Sequence, residues 1–395
     1  MSKMLFSEFV NINPAVSIPK GELVSCVMME ELEPGRRYVY PRIMKPYKGG
    51  ARFEHGDTLF ARITPCLENG KIAQYKSNDR MPAFGSSEFF ILRAKEGISD
   101  PGFVYYLSTT DVIRKPAEKS MFGVSGRQRA DVKSIASIKL DFPDISIQRR
   151  IASILSAYDD LIENNTRRIK ILEEMAKLIY REWFVEFKAL GVKLRNATAD
   201  EKKVTGKDQF PKGWEIKILG EIARLTMGQS PDSKYYNEEG IGLPFHQGVT
   251  NFGERFPTDK IYCSIESRVA ERDDILMSVR APVGRLNISN KKIIVGRGLC
   301  AIKSNTEHQE YLFQTLKNHF VEEDIMGGGT IFKSVTKDDV VGIKILKPNR
   351  QILEKFREIA RPMFKELEIL SYKNQNLRST RDLLLPKLVS GEIEV

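Results

Sequence analysis

The sequence predicts an α+β protein in which two mixed α/β domains alternate with two long coiled-coil helices. Three observations carry that prediction: a change of hydrophobic rhythm at two places, a polar stretch after the first, and one strand, proline and helix order that recurs in both halves. With 395 residues, 41% hydrophobic and 29% charged, the chain can bury real cores in two or three domains.

Residues 1–143 read as the first domain, built from short, turn-punctuated runs that Pro143 stops. Residues 144–190 read as a long helix with Asp144 or Ser146 as its cap. Ile147, Ile151, Ile154, Tyr158, Leu161, Leu172, Met175 and Ile179 fall on a three-and-four rhythm, which predicts a coiled-coil seam. Asn165 sits on that seam, where a polar residue costs stability and favours one register. Residues 191–212, with RNATADEKKVTGKDQ, read as a flexible linker. A second domain, residues 213–348, follows the opening FPKGWEIKILGEI. Residues 349–395 read as the second long helix, with Ile352, Phe356, Ile359, Met363, Leu370, Leu377, Leu384 and Leu388 on its seam. Pro362 predicts a kink or restart at Arg361.

The halves superimpose as sequence. At an offset of 205, Ile138, Lys139 and Pro143 meet Ile343, Lys344 and Pro348, and Ile151 and Leu172 meet Phe356 and Leu377. Upstream the offset is 217, where GDTLFARITP from Gly56 meets DDILMSVRAP from Asp273. Shared order across strand, proline and helix points to duplication. The stretches Arg36 to Arg52 and Gln229 to Arg255, by contrast, have little in common, so similar scaffolds carry different loops.

Lys and Arg outnumber Asp and Glu by 62 to 52, a net charge of +10 that suits a polyanionic partner. Arg36, Arg37, Arg42, Lys45, Lys48 and Arg52 lie in a stretch without an acid, interleaved with Tyr38, Tyr40 and Tyr47, a composition that can bind phosphates and approach base edges. In FGVSGRQR, Arg127, Gln128 and Arg129 follow a glycine-rich turn, and all three residue types make bidentate base contacts. Its counterpart by position is GGGTIFKS, with Lys333. The second half adds Lys234, Tyr235, Tyr236, His246, Gln247, Asn251, Arg255, Arg280 and Arg285 as DNA-binding candidates.

Catalytic patterns are weak. VGRGLCA satisfies G-x-G-x-x-A, but AIKSN after it reads as strand, not as the helix that holds a pyrophosphate. Asp208, Glu215 and Lys217 only faintly resemble a nuclease cluster, and Gly206–Lys207 lacks the Ser or Thr of a phosphate-binding loop. His55, His246, His308 and His319 are isolated, and the four cysteines stand apart, so no metal site or disulfide framework is expected. There is no membrane-length apolar run and no Asn-Pro-Pro-Tyr-like tetrapeptide; a cytoplasmic, non-catalytic protein is expected.

The segments LFARITPCLENGKIA, the run from FGVSGRQR through SIQRRIASILSAYDDLIENN to LIYREWF, and the closing LLLPKLVSGEIEV resemble the specificity subunits of type I restriction-modification enzymes. The resemblance covers nearly the whole chain. It implies a pseudo-twofold arrangement of two target-recognition domains, each reading one half of a bipartite site in double-stranded DNA, with antiparallel helices setting the spacer. It also implies two methyltransferase subunits docked on this chain, and motor/nuclease restriction subunits beside them. S-adenosylmethionine, ATP and Mg would sit on those partners and no cofactor on this chain. The first domain begins close to Met1, so against the family pattern a leading conserved segment is expected to be short or absent.

Overall fold

An antiparallel strand pair closes each domain, made from the first and last strands of that domain, and a long helix leaves directly from it. The computed structural model describes residues 2–124, 126–325 and 334–395. They form two compact units, Met1–Arg167 with Tyr372–Val395, and Arg168–Ser371.

Unit 1 runs β1 (Ser2–Leu5), α1 (Phe6–Phe9), β2 (Val10–Ile12), β3 (Leu23–Val27), β4 (Tyr38–Val39), β5 (Ile43–Pro46), β6 (Ala51–Phe53), β7 (Thr58–Ala61), β8 (Ile72–Tyr75), β9 (Ala83–Gly85), β10 (Phe89–Ala94), α2 (Pro101–Thr109), α3 (Asp111–Lys119), α4 (Val132–Ala136), β11 (Lys139–Phe142) and the start of α5 (Ile145–Tyr180). Five strands pair in the order β2-β10-β7-β8-β4 and four in the order β5-β3-β9-β6. Strands β7, β8 and β9 are buried along their whole length, as in a sheet covered on both faces. The main core gathers Phe9, stacked on Phe142 at 3.9 Å, with Phe103, Ile151, Leu155 and Leu388. Asp100 caps α2 by accepting from the Phe103 amide, with Pro101 in the first turn. Gln148 fastens the long helix to this domain, accepting from the Asp100 amide and donating to the Ile98 and Pro143 carbonyls.

Unit 2 holds the rest of α5, then β12 (Leu194–Asn196), α6 (Ala199–Thr205), β13 (Gln209–Pro211), β14 (Glu215–Ile218), α7 (Leu219–Ile222), β15 (Ala223–Met227), β16 (Tyr236–Asn237), β17 (Leu243–His246), β18 (Tyr262–Cys263), β19 (Val269–Ala270), β20 (Ile275–Ser278), β21 (Leu286–Ile288), β22 (Ile293–Val295), β23 (Leu299–Ser304), α8 (Gln309–Ile325), α9 (Lys337–Val341), β24 (Lys344–Lys347) and most of α10 (Arg350–Ser390). Its sheets run β15-β23-β20-β21 and β16-β18-β17-β22-β19. The likeness to unit 1 extends to single bonds. Asp57 accepts from the Glu54 amide at 2.7 Å, and Asp274, 217 positions on, accepts from the Glu271 amide at 2.9 Å.

Both long helices are present, and within each unit their contacts run in opposite directions. In unit 1 Asp159 meets Arg381 and Asn165 meets Asn374; in unit 2 Arg168 meets Glu366 and Tyr180 meets Phe356. Of the expected seam residues, Ile151, Asn165, Phe356 and Leu370 are buried, and Tyr158, Leu172, Ile179, Met363, Leu377 and Leu384 are half-buried. Ile147, Ile154, Leu161, Met175 and Ile359 are exposed at 37, 38, 51, 43 and 39%, and Leu155, Ile162 and Ala360 take inward places. The rhythm cannot choose between neighbouring apolar residues, and a one-residue step rotates a side chain by about 100° on a helix.

Two further expectations are corrected. The linker is folded: β12 and β13 pair around α6, Thr198 and Glu201 form a capping box, Arg195 holds Glu201 through two bonds, and Phe210 is fully buried. Of the kink or restart expected at Arg361, the restart is absent: helix α10 continues through Pro362. Glu358, whose carbonyl loses its donor there, is exposed like Pro362, so water can take the lost bond.

Candidate nucleic-acid interface

In unit 1 the FGVSGRQR segment is a hairpin held at its base. The Phe122 and Arg129 backbones bond to each other, the Thr64 amide donates to the Gln128 carbonyl and the Ala130 amide to the Arg62 carbonyl. Arg129 is exposed but engaged: its guanidinium grips Glu88 through three hydrogen bonds and holds that carboxyl below the usual range, with Arg62 adding to the effect. Arg127 stands exposed at the tip and Gln128 is half-buried.

The same base exists in unit 2. The Val335 amide donates to the Val279 carbonyl, and Arg280 bridges Ser334, positions displaced by 217 from Arg62 and Ile63. So Arg129 in unit 1 and Ser334 in unit 2 are anchored beside equivalent strands. Lys333 and its loop up to that residue lie outside the described residues. Arg280 and Arg285 are exposed.

The basic stretch of the first domain is not one patch. It contains strands β4, β5 and β6, and the fold disperses its charges. Glu33, upstream, pairs with Arg36 at 2.8 Å and reaches Arg42 at 3.9 Å. Lys45 lies on edge strand β5 and Arg52 on the opposite edge strand β6 of one sheet, with Lys48 exposed between them in the chain. Arg37 is buried, donating to Gln74 and to the Tyr106 hydroxyl. Tyr40 donates to Glu163, and Tyr47 packs edge-on against Phe84.

Arg255 repeats the fate of Arg37. It is buried beneath Phe364 with Glu173 3.7 Å away, and burial lowers its pKa to about 10. It lines a cavity of about 750 Å³ whose four basic side chains, Arg255, Arg357, Arg361 and Lys365, face four acidic ones, so the cavity has no net pull on a polyanion. His246 is also a core residue, fully buried and 3.0 Å from Asp259. A buried arginine or histidine has the composition of a ligand-binding residue, and only its partners reveal otherwise. Tyr236 stacks on Phe245 and bonds the Pro231 carbonyl, Tyr235 packs beside it, Lys234 pairs with Asp232, and Asn251 is half-buried. Gln247 is exposed.

Among the described residues no group of His, Cys, Asp and Glu could hold a metal ion, and no helix is long and apolar enough to cross a membrane. The Cys300 thiol is pushed up to about 12 by burial, the opposite of an activated nucleophile. A strand, β23, follows the VGRG turn.

The model of the type I restriction modification DNA specificity domain matches residues 41–174 and 211–377. A Methanocaldococcus jannaschii protein named as a type I restriction enzyme MjaX specificity subunit is 30% identical over 349 residues, covering 86% of this chain and 79% of its own. The HindI specificity subunit of Haemophilus influenzae is 24% identical, covering 88% and 89%. The crystal structure of the type I restriction-modification S subunit from M. genitalium has a TM-score of 0.59 at 17% identity over 98% of this chain and 96% of that one, a likeness of fold.

Proposed function

Because the chain belongs to the specificity-subunit family of type I restriction-modification enzymes, and so recognises DNA sequence, we propose that each of its domains reads one half of a bipartite duplex site. The observation that carries this is the contrast between duplicated scaffold and unlike loops: the hairpin at Phe122–Arg129 and the chain at Ser334 leave equivalent strands, yet their residues differ. Two readers with one frame and different surfaces suit two half-sites of different sequence.

In this reading the long helices pack antiparallel as a coiled coil in a pseudo-twofold arrangement and set the spacer. Two methyltransferase subunits dock on them and bring S-adenosylmethionine; restriction subunits bring ATP, Mg and cleavage; this chain performs no chemistry. Ile154, Leu161, Ile171, Met175, Leu178 and Ile369 are large apolar side chains left exposed on the two helices, as a partner-binding face requires. The test is a map of methylated adenines in the host genome with and without this gene. One bipartite motif should lose its methylation; an unchanged map contradicts the proposal.

A further inference from the structure

The motif that fails as a nucleotide site brings three chain segments of the second domain together. The turn Gly296–Gly298 joins β22 to β23, and its neighbours are the ends of β15 and β17. Gln229 donates its amide to the Val295 carbonyl at 3.0 Å, Gly296 to His246 at 2.9 Å, and Gly298 to Gln247 at 3.0 Å. The Arg297 amide donates to the Ser230 hydroxyl at 3.2 Å.

Glycine is required for this closeness. A Cβ on Gly228 would stand 2.1 Å from the Gly296 carbonyl oxygen, one on Gly296 2.8 Å from the Gln247 Cα, and one on Gly298 2.4 Å from the Gln247 carbonyl oxygen. What this packing displays is three exposed polar side chains, Gln229, Gln247 and Arg297. No acidic side chain among the described residues pairs with Arg297.

We propose that Gln229, Gln247 and Arg297 form the base-reading head of the second domain, with a guanine edge as the target of Arg297 and an adenine edge as that of a glutamine. The inference rests on the DNA-reading function proposed above. Arginine matches the O6 and N7 acceptors of guanine, and glutamine matches the donor and acceptor of adenine. Their backbones are fixed by mutual hydrogen bonds, so the side chains start from a rigid platform and less ordering is required on binding.

The first domain puts different chemistry at the same address. β3 pairs parallel with β9 as β17 pairs with β22, so Val27 and Gly85 correspond to His246 and Val295. The next residues place Met28 opposite Gln247, Ser87 opposite Arg297 and Glu88 opposite Gly298. There Glu88 is occupied with Arg62 and Arg129. A position that differs this much between duplicated domains is where two half-sites would be told apart.

The test uses the full chain in the reconstituted methyltransferase complex, with duplexes in which each base pair of both half-sites is replaced in turn. Arg297→Ala should weaken cognate binding about 10-fold or more and abolish discrimination at one guanine of one half-site. Gln247→Ala and Gln229→Ala should do so at adenine, while the other half-site keeps its profile. Arg297→Lys should keep affinity for unrelated DNA yet lose the guanine preference. Unaltered thermal melting of the variants separates these effects from misfolding. Variants with the wild-type base profile would overturn the inference, as would a loss uniform over all sequences, which marks a phosphate contact. A wild-type complex with no base preference would instead overturn the DNA-reading function itself.

Discussion

The helix contacts in the two units differ in one respect: unit 1 adds a buried polar network to its apolar contacts, and unit 2 adds aromatic side chains. In unit 1 an apolar cluster with Ile151, Leu155 and Leu388 stands beside a buried polar network: Asp159 takes Arg381 and the Tyr106 hydroxyl, Arg381 also reaches the Gly35 carbonyl, and Asn165 donates to Asn374, which donates to Thr166. In unit 2 the buried helix contacts are apolar, with Ile169 against Leu367 and Leu370, then Tyr180, Phe184, Phe356 and Ala360 in one aromatic cluster, and the polar contact of Arg168 with Glu366 lies nearer the surface. Polar pairs are satisfied in one register only, whereas an apolar face contributes burial energy in several. The difference places the register-selecting polar pairs in unit 1.

The largest expected effects test that division directly. Arg381→Ala leaves the buried Asp159 carboxylate without its cation and should cost about 3–5 kcal/mol. Phe356→Ala empties the centre of the aromatic cluster and should cost about 3–5 kcal/mol as well. Urea denaturation reads both. Replacing the whole Asp159 and Arg381 pair by apolar residues should recover most of the first loss, because the loss comes from an orphaned charge; no such rescue exists for Phe356.

A second pair of variants checks which residues face inward. Leu155→Ala should cost about 2–5 kcal/mol, while Ile154→Ser, one residue away, should stay within about 0.5 kcal/mol in the isolated chain. Equal losses would restore the seam read from the rhythm. Changing Asn165 and Asn374 together to Leu should leave stability equal or higher and loosen register, seen as additional cysteine cross-links between the helices.

The smallest effect is a pH dependence confined to the folded insert at β12–β13. Arg195 lowers the Glu201 pKa to about 2, below its ordinary value of 4.5. A depressed carboxyl stabilises above its unfolded value, so this contribution is present above pH 4.5 and is lost as pH falls toward 2. Protection of the Lys202 and Gly206 amides against hydrogen exchange, relative to the intrinsic rate at each pH, should fall over that window, and Glu201→Gln should remove the dependence.

Much of the architecture was legible because duplication writes it twice: Pro143 and Pro348 each separate a strand from a long helix. The insert at 191–212 was misread because its charged composition looks like a linker, although Thr198, Glu201 and Gly206 spell a capped helix. The interface was less legible. Arg37 and Arg255 look like exposed phosphate ligands in sequence, yet each is taken up by aromatic side chains of its own unit. Arg297 was passed over because a G-x-G spacing suggests a phosphate loop, and its meaning depends on Gln229 and Gln247, distant in sequence.

The central claim is that the duplicated strands and helices are scaffold and that the unlike loops carry specificity. Exchanging residues 213–348 for the matching domain of a relative with a different methylation motif, then mapping methylated adenines in the host, tests it most directly. The account predicts a motif in which one half changes, while the other half and the spacer stay as they were. A motif changed in both halves, or in neither, would contradict it.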